Sequence, residues 1–269
     1  MSGPHRFRLI YEVEPPREAN LGKFSKQLEI FGGVVDAVLI PDNHLGRPAL
    51  SSVALAIEAK RLGFTPIVAL NARDRNHLRF RSDLLTLSAF GIEDVLLLYG
   101  DAIDHGRSDL TVRSMLADEW PPGLRRGVVA PMDKPLAWRR AADYVFTQLG
   151  DDGLAAASRL KAGGWTKPVY GGVGALPTRV MAEKVIGSIP GYTVPAGYYE
   201  AFDADPDAGF QDALRCMDVL LESGADGAHL VVPAGRRRFT ELLAEWVTAR
   251  GCRLAEDAAG TAPVVESPA

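Results

Sequence analysis

A chain of 269 residues, 47% hydrophobic and 24% charged, can bury one large core and has the balance of a globular protein. Its net charge of −4 and pI of about 5.8 exclude a broad basic field for nucleic acid or an anionic membrane, and Arg236-Arg237-Arg238 is only a local cluster. The two cysteines, Cys216 and Cys252, form no C-x-x-C pair, which argues against a zinc site or redox dithiol and fits a reducing cytoplasm.

The first eight residues lack the apolar core of a signal peptide. No run of about 18 apolar residues predicts a transmembrane helix, so a soluble cytoplasmic protein is expected. Eight short apolar or β-branched runs then follow in order: Arg8–Glu14, Ala37–Ile40, Pro66–Ala69, Asp94–Leu98, Gly127–Ala130, Tyr144–Gln148, Val169–Val173 and Ala228–Val232. Near-continuous runs such as VDAVLI and DVLLL suit strands covered on both faces. Between them the spacing predicts helices over Ala49–Leu62, Asn76–Phe90, Pro177–Ile186, Phe210–Glu222 and Arg236–Arg250. Asp74 and Asn76 are good caps for the second, Pro177 suits a helix start, and glycines follow several ends. Alternating strands and helices with eight strand candidates predict a single-domain (β/α)8 TIM barrel over residues 1–253, with an open doubly wound sheet as the competitor. The Ala-, Pro- and acid-rich stretch 254–269 is expected to be disordered.

In such a barrel the active site lies at the C-terminal ends of the strands. Strand one ends Tyr11-Glu12-Val13-Glu14, and alternation puts Glu12 and Glu14 on one side. If that side is the interior, two neighbouring carboxylates form, one of which can keep a proton and serve as a general acid. The alternative for Glu14 is a solvated rim. The other strands end in Pro41-Asp42-Asn43-His44, Asn71-Ala72-Arg73-Asp74, Tyr99-Gly100-Asp101, Thr147-Gln148 and Pro233-Ala234-Gly235-Arg236. Polar residues thus gather at one end. Gly171-Gly172-Val173-Gly174 lacks phosphate-loop spacing and reads as a turn. Of five histidines only His44 is placed at the mouth, while His229 reads as a core or bottom-face residue. No metal motif and no G-x-S-x-G elbow is present.

Several stretches resemble the methylenetetrahydrofolate reductase family in order and spacing. These are Val35–Asn43 (VDAVLIPDN), Ala72–Asn76 (ARDRN) followed by Ser82–Leu85, the run from Gly91-Ile92 to Gly100-Asp101, Asp143–Gln148 (DYVFTQ), Ile189-Pro190-Gly191 with Val194-Pro195, and Phe202. The resemblance covers about residues 8 to 240. It implies a barrel holding FAD that reduces 5,10-methylenetetrahydrofolate to 5-methyltetrahydrofolate with NADH or NADPH, a step that feeds methionine biosynthesis. By the resemblance, Glu12 is the general acid that protonates the nitrogen leaving as the five-membered ring opens. Asp101 contacts the pterin near the flavin, Gln148 orients the folate, Phe202 stacks on it, and Glu14 belongs to the substrate side. Asn43, His44, Arg73, Tyr99, Gly100, Asp133 and Arg139 stand on the flavin side.

The departures from the family pattern are equally specific. The crossover Pro131–Asp143 is too short for the helix that usually carries flavin contacts, and its Asp133, Lys134, Trp138, Arg139 and Arg140 lack the usual spacing. Ala72 replaces a cysteine, His44 a common proline and Glu14 a common aromatic. The folate half of the site therefore reads as retained and the flavin half as eroded. The expected activity is reductase-like, with FAD or with direct transfer from a nicotinamide. The alternative is a non-redox, tetrahydrofolate-dependent one-carbon (methyl) transferase or folate-binding protein. A reduced folate is the expected partner, nucleic acid and membranes are not, and assembly into a homo-oligomer stays open.

Overall fold

Alternation along the strands sorts the apolar side chains into two sets, and the two sets have different neighbours. In the computed structural model, which describes residues 7–43, 46–100, 110–130, 137–189 and 192–252, one set fills the inside of a barrel and the other lies under helices. The strands are β1 (Arg8–Glu12), β2 (Ala37–Ile40), β3 (Pro66–Asn71), β4 (Asp94–Leu98), β5 (Arg125–Val129), β6 (Tyr144–Phe146), β7 (Val169–Gly174) and β8 (Gly227–Val231). They pair parallel in sequence order and close, β8 against β1, into one barrel. Between and after them come α1 (Leu21–Phe31), α2 (Ser52–Arg61), α3 (His77–Ala89), α4 (Val112–Ala117), a 3-10 turn (Ala137–Ala141), α5 (Asp151–Ala162), α6 (Arg179–Ser188), α7 (Tyr198–Ala204), α8 (Ala208–Glu222) and α9 (Arg236–Ala249). The closed barrel is the fold read from the sequence, with strand limits within a few residues of those expected.

Ile10, Ala37, Leu39, Ile67, Ala69, Leu96, Tyr144, Phe146 and Tyr170 point inward and pack together. Their outward neighbours, Leu9, Tyr11, Val38, Ile40, Val68, Leu70, Val95, Leu97 and Val145, pack beneath the helices. A strand apolar on both faces is buried on both faces, which is why these runs show no polar alternation. The floor of the barrel holds Asp94, whose Oδ2 accepts from Arg125 Nη2 at 2.6 Å and lies 3.8 Å from Arg8. Burial raises the Asp94 carboxyl above the usual carboxylate range, and Arg125 and Arg8 oppose that shift.

Aromatic rings plug the interior above that floor. Tyr144 meets Phe146 and Tyr170 edge-on, at centroid distances of 5.9 and 6.0 Å. Tyr144 lies over Gly127, where an added Cβ would come within 2.0 Å of its ring. The Gly171–Gly174 run, read from sequence as a turn, is instead part of β7. Its glycines make room for neighbours: a Cβ at Gly171 would strike Leu220 of α8, and one at Gly172 would strike the main chain of Gln148.

A buried ionic knot ties the ends of β2 and β3 to α3. Arg75 bonds Asp42 and donates through Nε to Asp83 Oδ2 at 3.0 Å, with all three side chains at most 9% exposed. Asp42 Oδ2 also accepts from the backbone N–H of Asn71 at 2.9 Å and from its Nδ2 at 2.6 Å. Asn76 caps α3 by accepting from Arg79 N at 2.8 Å, as its position in the sequence suggested.

Two substitutions test this framework. Gly127→Ala should destabilise the protein by about 1–3 kcal/mol, because the barrel centre has no room for the methyl group. Arg75→Met should cost about 3–5 kcal/mol, since it leaves the buried Asp42 carboxylate without its cation, while Asp83 keeps only Arg79. Urea unfolding followed by circular dichroism reads both, and wild-type midpoints would contradict the packing described.

Candidate functional site

The strand alternation that buries Ile10 also carries Glu12 into the barrel at the C-terminal end of β1. There its Oε2 shares a 2.8 Å hydrogen bond with Nε2 of His229 on the neighbouring strand β8. Both side chains are mostly buried, at 20% and 12% exposure. His229 stands against Phe146, ring centroids 5.3 Å apart, so the pair rests on the aromatic plug. His229 is thus neither a bottom-face nor a plain core residue, as the sequence suggested. It lies in the middle of β8, in register with Ile10 and Gly172, facing inward at the height of the site. The signal was available: Ala228 and Leu230 are the buried outward pair, so 229 must face in.

Glu14 does not join Glu12. The strand ends at Glu12, the chain turns, and Glu14 lies 67% exposed on the outer rim, with Oε2 3.4 Å from Arg236 Nη2. A hydrogen-bonded clamp fixes this turn. Gln27 of α1 accepts from the Glu14 N–H at 3.1 Å and donates to its carbonyl at 2.9 Å. Arg236, at the start of α9, donates to Tyr11 Oη at 2.9 Å, and Tyr11 stacks on Phe31 at 3.9 Å. Burial pushes the Tyr11 hydroxyl up to about 12, against the pull of Arg236, so it stays protonated. The clamp acts on the outward side of β1 and holds the backbone from which Glu12 projects inward.

Across the mouth, Gln148 follows β6 and is half-buried. Its Oε1 accepts from the N–H of Leu149 at 3.0 Å, which leaves the amide nitrogen as the end free to donate among the described residues. The turn after β6 folds against β7, and Gly172 permits that approach. Phe202 lies on α7, edge-on to Tyr198 at 5.5 Å, in an apolar cluster that includes Leu149, Leu176 and Val231. Glu12, His229, Gln148 and Phe202 therefore belong to the β6–β8 and β1 side of the mouth.

The β2–β5 side holds a separate cavity of about 280 Å³. Pro41, Asp42, Asn71, Leu98, Tyr99, Gly100, Val129, Ala130 and Arg139 are among its walls. Of the residues expected on the flavin side, Tyr99, Gly100 and Arg139 line this cavity. Arg73 instead makes a two-pronged bond to Asp74, at 2.7 and 2.8 Å. Asn43 Nδ2 is 3.5 Å from the same carboxylate. His44, Asp101 and Asp133, and with them Pro190-Gly191 and the tail from residue 253, lie outside the described residues.

No protein-family model matches the chain, and no curated protein matches it. The resemblance to methylenetetrahydrofolate reductases thus stands on the motifs themselves. Among solved structures the chain is similar to one described as an uncharacterized protein from Clostridium thermocellum that binds two copies of 5-methyl-5,6,7,8-tetrahydrofolic acid. The TM-score is 0.62 at 15% identity, over 91% of this chain and 96% of that one. The similarity establishes the shared barrel fold. Among the described residues no helix is long and apolar enough to cross a membrane.

Proposed function

We propose that this barrel binds a reduced folate at the β6–β8 and β1 side of its mouth and acts as a methylenetetrahydrofolate reductase-like oxidoreductase. The observation that carries the reading is Glu12, a carboxyl group held inside the barrel by His229 at the strand end where the resemblance expects a general acid. The Clostridium thermocellum barrel, with its bound 5-methyltetrahydrofolate, supports the ligand class.

The steps assigned to this chain are few. Glu12 in its acid form gives its proton to the nitrogen that leaves as the five-membered ring opens. The iminium so formed accepts a hydride from NADH or NADPH, giving 5-methyltetrahydrofolate and the oxidised nicotinamide. As Glu12 becomes a carboxylate, His229 donates through Nε2–H and stabilises the new charge. Gln148 can donate its amide N–H to the folate, and Phe202 offers an aromatic face to its ring.

FAD, when bound, supplies hydride relay in the family this chain resembles. The cavity on the β2–β5 side does not suit a whole FAD. Its volume of about 280 Å³ falls just below the usual range for ligand pockets, and Arg139 is the one cation among its described walls for a pyrophosphate that carries two charges. The hydride therefore passes to the iminium directly from the nicotinamide.

Glu12→Gln should lower turnover about 10²–10⁴-fold while 5-methyltetrahydrofolate still binds, as loss of a general acid predicts. Near-normal turnover removes Glu12 from the mechanism. Gln148→Ala should weaken folate binding about 3–10-fold, the worth of one hydrogen bond, by isothermal titration. An unchanged dissociation constant rules out that contact. The purified protein should show no absorbance band near 450 nm yet oxidise NADH or NADPH when methylenetetrahydrofolate is added. If it binds folate and oxidises neither nicotinamide, the non-redox transferase or folate-binding alternative holds instead.

A further inference from the structure

Among the described residues Arg139 is a buried cation with an unpartnered donor. It is 7% exposed, yet its Nε has no hydrogen-bond partner among the described residues. Among the described residues no carboxylate pairs with it. Its guanidinium lies 4.5 Å over the ring of Trp138. A guanidinium keeps its charge under any ordinary condition. A buried charge without a counter-ion is costly, and proteins rarely retain one without use. The group also faces a cavity rather than packed core.

The other walls narrow the choice of ligand. Leu97, Leu98, Val112, Val129 and Ala130 are apolar and suit a flat ring. The one carboxylate in the wall, Asp42, is already held by Arg75 and Asn71, so it does not oppose an anion as a free charge would. The volume of about 280 Å³ accommodates one ring system with one anionic group.

We propose that this cavity is a ligand site, separate from the folate side, for a ring-bearing organic anion of mononucleotide size, whose phosphate or carboxylate pairs with Arg139. The site does not depend on the folate reading. Trp138, in contact with Arg139, supplies the signal.

The experiment titrates the purified protein with nicotinamide mononucleotide, nicotinate and FAD in parallel, following tryptophan fluorescence, with Trp138→Phe to assign the change. Saturable quenching by the mononucleotide or by nicotinate supports the site and tells phosphate from carboxylate. Binding should weaken at least about 10-fold in Arg139→Leu, the loss of a charge-assisted hydrogen bond, and persist in Arg140→Leu.

A second readout separates a binding role from a structural one. Without ligand, Arg139→Leu should melt at or above the wild-type temperature, because it removes a buried charge that no described carboxylate balances. A melting temperature several degrees lower would make Arg139 a structural residue and overturn the proposal. So would quenching by neither small probe, quenching indifferent to Arg139, or one-to-one FAD binding tighter than that of the mononucleotide. Binding of 5-methyltetrahydrofolate is measured on the same samples. If it persists while both probes fail, this proposal alone falls. If the probes bind and the folate does not, the folate reading alone falls.

Discussion

Inside a closed barrel a carboxyl group has lost most of its water and must find a partner in the protein. Glu12 finds one in His229, one strand away across the β1–β8 seam that closes the ring. This bond is possible only because the barrel closes: the two residues are 217 positions apart in sequence. It also fixes what the carboxyl group can do. A partner that can either donate or accept lets Glu12 exist protonated or charged without an unsatisfied atom. A lysine or arginine at 229 would lock it as a carboxylate and end any acid role.

The rest of the mouth is arranged around that pair in two unlike halves. On one side the β1 turn is clamped by Gln27 and Arg236, and the chain after β6 folds against β7. On the other, the Asp42–Arg75–Asp83 knot fixes the ends of β2 and β3. Buried ion pairs of this kind contribute little net stability, but removing one partner is severe, so they act as pins. The aromatic plug of Tyr144, Phe146 and Tyr170 closes the barrel below Glu12. It leaves the strand ends as the place where a ligand can reach polar groups, as in other barrels of this type.

Much of the fold was legible in the sequence because parallel strands buried on both faces are short unbroken apolar runs. DVLLL and AVLI have few other homes. The helices Leu21–Phe31 and Asp151–Ala162 were not singled out, although they fill gaps where helices were expected. The glycines of β7 misled because glycine signals turns more often than close packing, and nothing local reveals that Leu220 and Gln148 need the space. Glu12 was legible from its place in strand one. Glu14 stood between the interior and a solvated rim, and the rim holds, since alternation lasts only while the strand does and the strand stops at Glu12. For His229 the inward direction follows from its neighbours Ala228 and Leu230, but its role is set by a partner at the far end of the chain. Asp101, central to the resemblance, lies outside the described residues.

The short crossover between β5 and β6 bears on the shape of the second half. A parallel strand pair needs a connection of about a dozen residues or more, and a helix is its usual filling. Here the chain from Val129 to Tyr144 includes only the 3-10 turn Ala137–Ala141 as regular structure among the described residues. The described part of this connection, the turn Ala137–Ala141, packs against α4, the helix before it. Trp138 and Arg139 move with it, and the guanidinium is brought under cover at the edge of the strand ends. In a longer crossover the same arginine could reach solvent and its charge would need no partner. The short connection thus places the buried cation beside the cavity, and the size and charge of that cavity have one cause.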